Sequence, residues 1–83
     1  MKKEITEQSI ILCENIGLLR KSFGLSQKEM AQICGIGVSS LRKIEKEKII
    51  PDISVEIIFL LSRHFNLPPK RFFTPLNEKD FKN

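Results

Sequence analysis

The chain has only two cysteines and one histidine among its 83 residues, and Cys13 and Cys34 stand alone in apolar stretches with no Cys-x-x-Cys pair. That spacing excludes a zinc ribbon or finger, so no metal and no other cofactor is expected. Both thiols read as reduced, buried, small hydrophobes of a cytoplasmic protein. No apolar run exceeds five residues, 57–61 being one of them, against the about 18 that suggest a membrane span. A soluble protein with no membrane partner follows. Met1-Lys2-Lys3-Glu4 leads into acidic and polar residues where a secretory signal would have an apolar core. A Ser/His/Asp set and a glycine-rich phosphate loop are both missing, and 83 residues are too few to wall off a pocket, so an enzyme is not expected. Internal repeats, low-complexity segments and the alternation of a strand are missing too. Without a separate ligand domain, no small-molecule ligand is expected. The composition, 41% hydrophobic and 29% charged, is that of one globular domain with a thin core.

The net charge of +4 is unevenly spread. Residues 1–19 carry two basic and three acidic side chains, 20–48 carry seven and three, and 49–83 carry five and four. The excess therefore sits in the middle third, an electrostatic footprint suited to a polyanion, although a solvated helix face alone can carry such charge.

Apolar periodicity and punctuation predict short helices. Ile5 precedes Leu12, Ile16, Leu19 and Phe23, four positions on one helix face, and Gly24 supplies the stop. Ser26-Gln27-Lys28-Glu29 has the form of a capping box, which opens a second helix over 27–34 with Met30, Ile33 and Cys34 inward around Ala31. Gly35 ends it. Two residues later a third helix runs over 38–46 with Leu41 and Ile44 inward. A turn this short makes the two axes cross steeply and closely, a need met by the small Ala31 and by Gly35. After Pro51, Ser54 caps a fourth helix over 55–65 that buries Ile57, Ile58, Leu61 and Phe65, and Asn66 ends it in the left-handed conformation. Pro69 opens a short fifth helix carrying Phe72 and Phe73, which Thr74-Pro75 breaks. The fold class is all-α.

The order and spacing of Leu19-Arg20, Gly24-Leu25-Ser26-Gln27, Glu29-Met30-Ala31, Gly35-Ile36, Leu41, Ile44-Glu45, Pro51, Ser54-Val55-Glu56 and Phe65-Asn66-Leu67 resemble the lambda-repressor-like, Cro/Xre type of helix-turn-helix domain. The likeness covers residues 16–73. It implies a compact five-helix domain whose second helix crosses a phosphate backbone while its third enters the major groove. On this reading residues 1–8 are an N-terminal extension, 9–74 the helix-turn-helix domain and 75–83 a loose tail. Once Leu41 and Ile44 fix the buried side, Val38, Ser39, Arg42, Lys43 and Lys46 fall on the other face of the third helix. By position in the family's motif Val38, Ser39 and Lys43 address base edges, and Arg42 is grouped with them. Gln27 takes the phosphate-contacting start of the second helix, and Lys28, Ser40, Lys46 and Lys48 are the further backbone contacts. Lys43 suits guanine O6 and N7, Val38 a thymine methyl, and Ser39 almost any base. The resemblance also pairs Arg20 with Glu45, predicting a partly buried ion pair between the first and third helices.

Two departures from the family pattern stand out. Gly37 replaces the usual Ser or Thr before the third helix, at a cost of a few tenths of a kcal/mol. Glu47 replaces a common glycine, which removes an easy left-handed stop and should lengthen that helix by a turn.

The expected partner is double-stranded DNA, a palindromic operator bound by a homodimer, because one recognition helix reads too few base pairs to discriminate within a genome. Leu67, Phe72, Phe73, Leu76 and Phe81 offer more apolar area than one short helix can bury, and are assigned to the dimer interface. A protein-interaction module, the antitoxin or adaptor half of a pair, is the competing reading. It has no need of a cationic face on the third helix.

Overall fold

The computed structural model describes residues 7–48 and 54–81 of the chain. Ile5 and Pro51 lie outside the described residues, as do the side chain of Ser54 and most of the 1–8 extension. Four α-helices and two short 3-10 turns make up the rest, with no strand among the described residues. The class is all-α, as its periodicity predicts.

Helix α1 spans Glu7–Ser22 and buries Leu12, Cys13, Asn15, Ile16 and Leu19. Its end is closed by Gly24 at φ 65°, a conformation that costs a residue without Cβ little. Leu25 N–H then donates to Arg20 O at 2.9 Å. Helix α2, Gln27–Cys34, starts on the capping box read from the sequence. Glu29 N–H donates to Ser26 Oγ at 3.0 Å and Ser26 N–H to Glu29 Oε1 at 2.8 Å. The bonds from Ser26, its backbone first, hold the Glu29 carboxyl below the usual range. Gly35 closes α2 at φ 71°, with Ile36 N–H donating to Ala31 O at 3.0 Å. The backbone angle favours glycine, and a Cβ at Gly35 would stand 3.0 Å from Leu60 Cδ1, obliging that side chain to shift.

Helix α3, Val38–Glu47, begins at Gly37 with no side-chain cap. The expected extra turn does not form. Lys48 itself adopts the left-handed conformation at φ 58°, and its Nζ donates to Glu45 O at 2.9 Å, offsetting the cost of that geometry at a non-glycine residue. Helix α4, Ser54–Phe65, buries Ile57, Ile58 and Leu61. Asn66 ends it at φ 55°.

The C-terminal part differs from expectation. The fifth helix is a 3-10 turn, Pro69–Phe73, because five residues between a proline and Thr74-Pro75 cannot complete α-helical bonding. The described residues beyond it, through 81, are not a loose tail. A second 3-10 turn, Glu78–Asp80, is capped by Asn77, and Arg71 pairs with Asp80. Leu67, Phe72 and Leu76, assigned to a dimer interface, lie within the chain's own core at 7%, 0% and 8% exposure. That assignment is corrected for these three: the segment folds back over α1, so the apolar area that looked surplus is used inside one copy.

Cys13 and Cys34 are both free and buried. Burial pushes the Cys13 thiol up from the usual 9.0 to about 11, opposed by Lys48. It pushes Cys34 up to about 12, with Glu45 adding. The unfolded chain loses these protons first, so their contribution to stability is complete below pH 9 and falls as pH rises toward these values. At neutral pH iodoacetamide should leave both thiols unmodified in the folded protein and alkylate them in denaturant. Prompt labelling of the native protein would contradict their burial.

Candidate nucleic-acid interface

Leu41 and Ile44 are fully buried, at 0% exposure, so α3 is held with one face inward. Ser39, Arg42, Lys43 and Lys46 are exposed on the rest of it, and Val38 and Ser40 are half-buried. The first turn of α3 holds no acidic residue, so nothing there opposes an approaching anion at the positive end of the helix. On α2, Lys28 is exposed and Gln27 half-buried. Lys48 is half-buried too, its ammonium turned onto the end of α3, with two of its three donors left over.

Contacts between helices fix how α2 and α3 meet. Arg20 reaches from α1 to Glu45 on α3 through a two-point contact, Nε to Oε2 at 2.6 Å and Nη2 to Oε1 at 3.0 Å. Its Nη1 donates to Leu25 O at 3.0 Å, which also ties in the turn before α2. The two side chains are 17% and 13% exposed. Gln27 Nε2 donates to Glu45 Oε1 at 3.4 Å, and Arg42 Nε donates to Gln27 Oε1 at 3.4 Å. An open cleft of about 440 Å³ separates the outer edges of the two helices, lined by Gln27, Lys28, Ala31, Gln32, Ile36, Val38 and Arg42. Four of the nine residues assigned to DNA therefore meet around one feature or one network, while Ser39, Lys43 and Lys46 project separately.

Of the two remaining interface candidates, Phe73 is 38% exposed, and Phe81 is half-buried with its ring 5.6 Å from that of Phe23. Phe23 in turn packs 5.2 Å from Phe65, whose ring His64 meets edge-on at 4.8 Å. Val55 and Phe59 stand on the outer face of α4 at 78% and 64% exposure. Their i, i+4 spacing, away from Ile57, Ile58 and Leu61, is a signal that marks them as a separate stripe. Asn15 was not singled out by the sequence at all. No group of three His, Cys, Asp or Glu among the described residues could hold a metal, and no described helix is long and apolar enough to cross a membrane.

Two helices joined by a three-residue turn, with the second presenting an exposed cationic face, define a helix-turn-helix DNA-binding protein. A family model described as helix-turn-helix matches residues 16–72, about two thirds of the chain, and the chain belongs to that family in its Cro/C1-type, lambda-repressor-like form. No match was found among curated proteins or among solved structures.

Proposed function

We propose that the protein is a sequence-specific transcriptional regulator that reads the major groove of duplex DNA with α3. The observation that carries this reading is the outer face of α3, where Ser39, Arg42, Lys43 and Lys46 are exposed while Leu41 and Ile44 anchor the helix from behind. Val38, Ser39, Arg42 and Lys43 address base edges. Gln27, Lys28, Ser40, Lys46 and Lys48 neutralise or bond phosphates, which sets register without reading sequence. Two copies act together in the cytoplasm on a palindromic operator, their recognition helices about 34 Å apart. Among the described residues, the large apolar side chains left exposed to meet a second copy are Phe23, Val55, Phe59 and Phe73.

Selection of binding sites from a random duplex pool at fixed salt tests this. Enrichment of a short palindrome is the expected result. A pool that stays random while another protein is retained would favour the interaction-module reading. On the selected site, Lys43→Ala should cost about 1 to 3 kcal/mol and relax preference at one position. Lys48→Ala should weaken every duplex alike and lower the log–log salt slope by about 0.9. Uniform losses in both variants would remove Lys43 from base reading.

A further inference from the structure

Gln27 stands first in α2 with its two polar ends on two different charged groups. Its Nε2 donates to Glu45 Oε1 at 3.4 Å, and its Oε1 accepts from Arg42 Nε at 3.4 Å. A carboxylate only accepts and a guanidinium only donates, so these partners dictate which way the amide faces. Glu45 is fixed in turn by Arg20 at 2.6 Å, both side chains being largely buried. A continuous set of contacts therefore runs from an anchored ion pair to the exposed guanidinium of Arg42 on the outer face of α3.

We propose that Gln27 is a positioning residue that sets which base pair Arg42 addresses. This rests on the reading of α3 as the DNA-reading helix and names what aims one of its side chains. An exposed arginine normally samples many rotamers and must surrender that freedom on binding. Here the tether uses Nε and leaves the two Nη groups, four donors in a planar fork, for a guanine edge. One hydrogen of Gln27 Nε2 remains for a phosphate oxygen, so a single amide couples backbone register to base reading.

The test compares Gln27→Ala, Gln27→Met, Arg42→Ala and the double variant Gln27→Ala/Arg42→Ala on the selected duplex and on duplexes altered at one base pair. Gln27→Met keeps the stem against α2 and removes both polar ends. Thermal unfolding shows which variants are folded. The Gln27 and Arg42 single variants should lose about tenfold in discrimination at the same base pair. Gln27→Ala should change that preference no further once Arg42 is alanine. Additive losses, or losses at different base pairs, would overturn the positioning role. Arg42→Lys gives a test that leaves Gln27 untouched: it keeps the charge and the salt slope but has no planar fork to aim, so discrimination at that base pair should fall. Full discrimination by Arg42→Lys would overturn the proposal. A parent protein that binds duplexes without preference would overturn the DNA-reading proposal as well, which separates the two failures.

Discussion

Arg20→Met and Glu45→Leu should each lower the free energy of unfolding by about 3 kcal/mol, and the double variant should recover much of that loss. The two-point contact between these side chains, at 2.6 and 3.0 Å, lies where only 17% and 13% of their surface is exposed. Removing the arginine leaves the Glu45 carboxylate with only the long contact to Gln27. Removing the glutamate leaves a guanidinium bonded to Leu25 O alone. A charge stranded in this way costs more than the pair contributes, which is why replacing both partners by apolar groups is the milder change. An exposed pair would be worth about 0 to 1 kcal/mol. In a domain of this size about 3 kcal/mol corresponds to a fall in Tm of more than about 12 °C. Thermal unfolding of the three variants decides the matter, and single variants within about 1 kcal/mol of the parent would mean that solvent screens the pair.

Local features were legible in the sequence because their causes are local. The capping box at Ser26 and Glu29, the glycine at 35 and the left-handed Asn66 each depend on residues within one turn. The outward face of α3 was legible for the same reason, since Leu41 and Ile44 determine its complement by helical geometry. Lys48 was not: its left-handed turn is supported by its own ammonium on Glu45 O, a contact that spacing does not reveal. The Gln27 to Arg42 contact joins side chains on two helices across a crossing whose angle the sequence states only loosely. The C-terminal segment was misread for a physical reason of larger scale. Leu67, Phe72 and Leu76 have a periodicity too short to name a partner, and the residue that fastens the segment lies 57 to 61 positions earlier in the chain. A single asparagine within an amphipathic helix reads as an outward polar residue, whereas Asn15 is only 3% exposed.

Asn15→Leu should destabilise the protein by about 3 kcal/mol or more. Asn15 Nδ2 donates to Phe72 O and to Thr74 O, each at 2.9 Å, and Leu76 N–H donates to Asn15 Oδ1 at 3.0 Å. Leucine shares the branching but is bulkier and cannot bond, so it orphans the buried Phe72 carbonyl and Leu76 amide and frees the part-buried Thr74 carbonyl. An unsatisfied buried group costs about 1 to 3 kcal/mol. The segment can avoid that cost only by peeling off α1 into water. It then forfeits the burial of Phe72, a side chain at 0% exposure, worth about 1.5 to 3 kcal/mol. Asn15→Asp shares the shape and can still accept from Leu76, but it sets a carboxylate against two carbonyl oxygens, so it should fall in the same direction. Amide hydrogen exchange distinguishes the routes: detachment exposes the Leu76 amide while those of Met30 and Leu41 stay protected. Because α1 holds the C-terminal segment through Asn15 and α3 through Arg20, a low-temperature sample of Asn15→Leu should keep the ordering of α2 against α3 and its duplex preference. Parental stability with an equally protected Leu76 amide would show that the asparagine is dispensable. Loss of duplex preference in a folded variant would show that the two attachments made by α1 do not act independently.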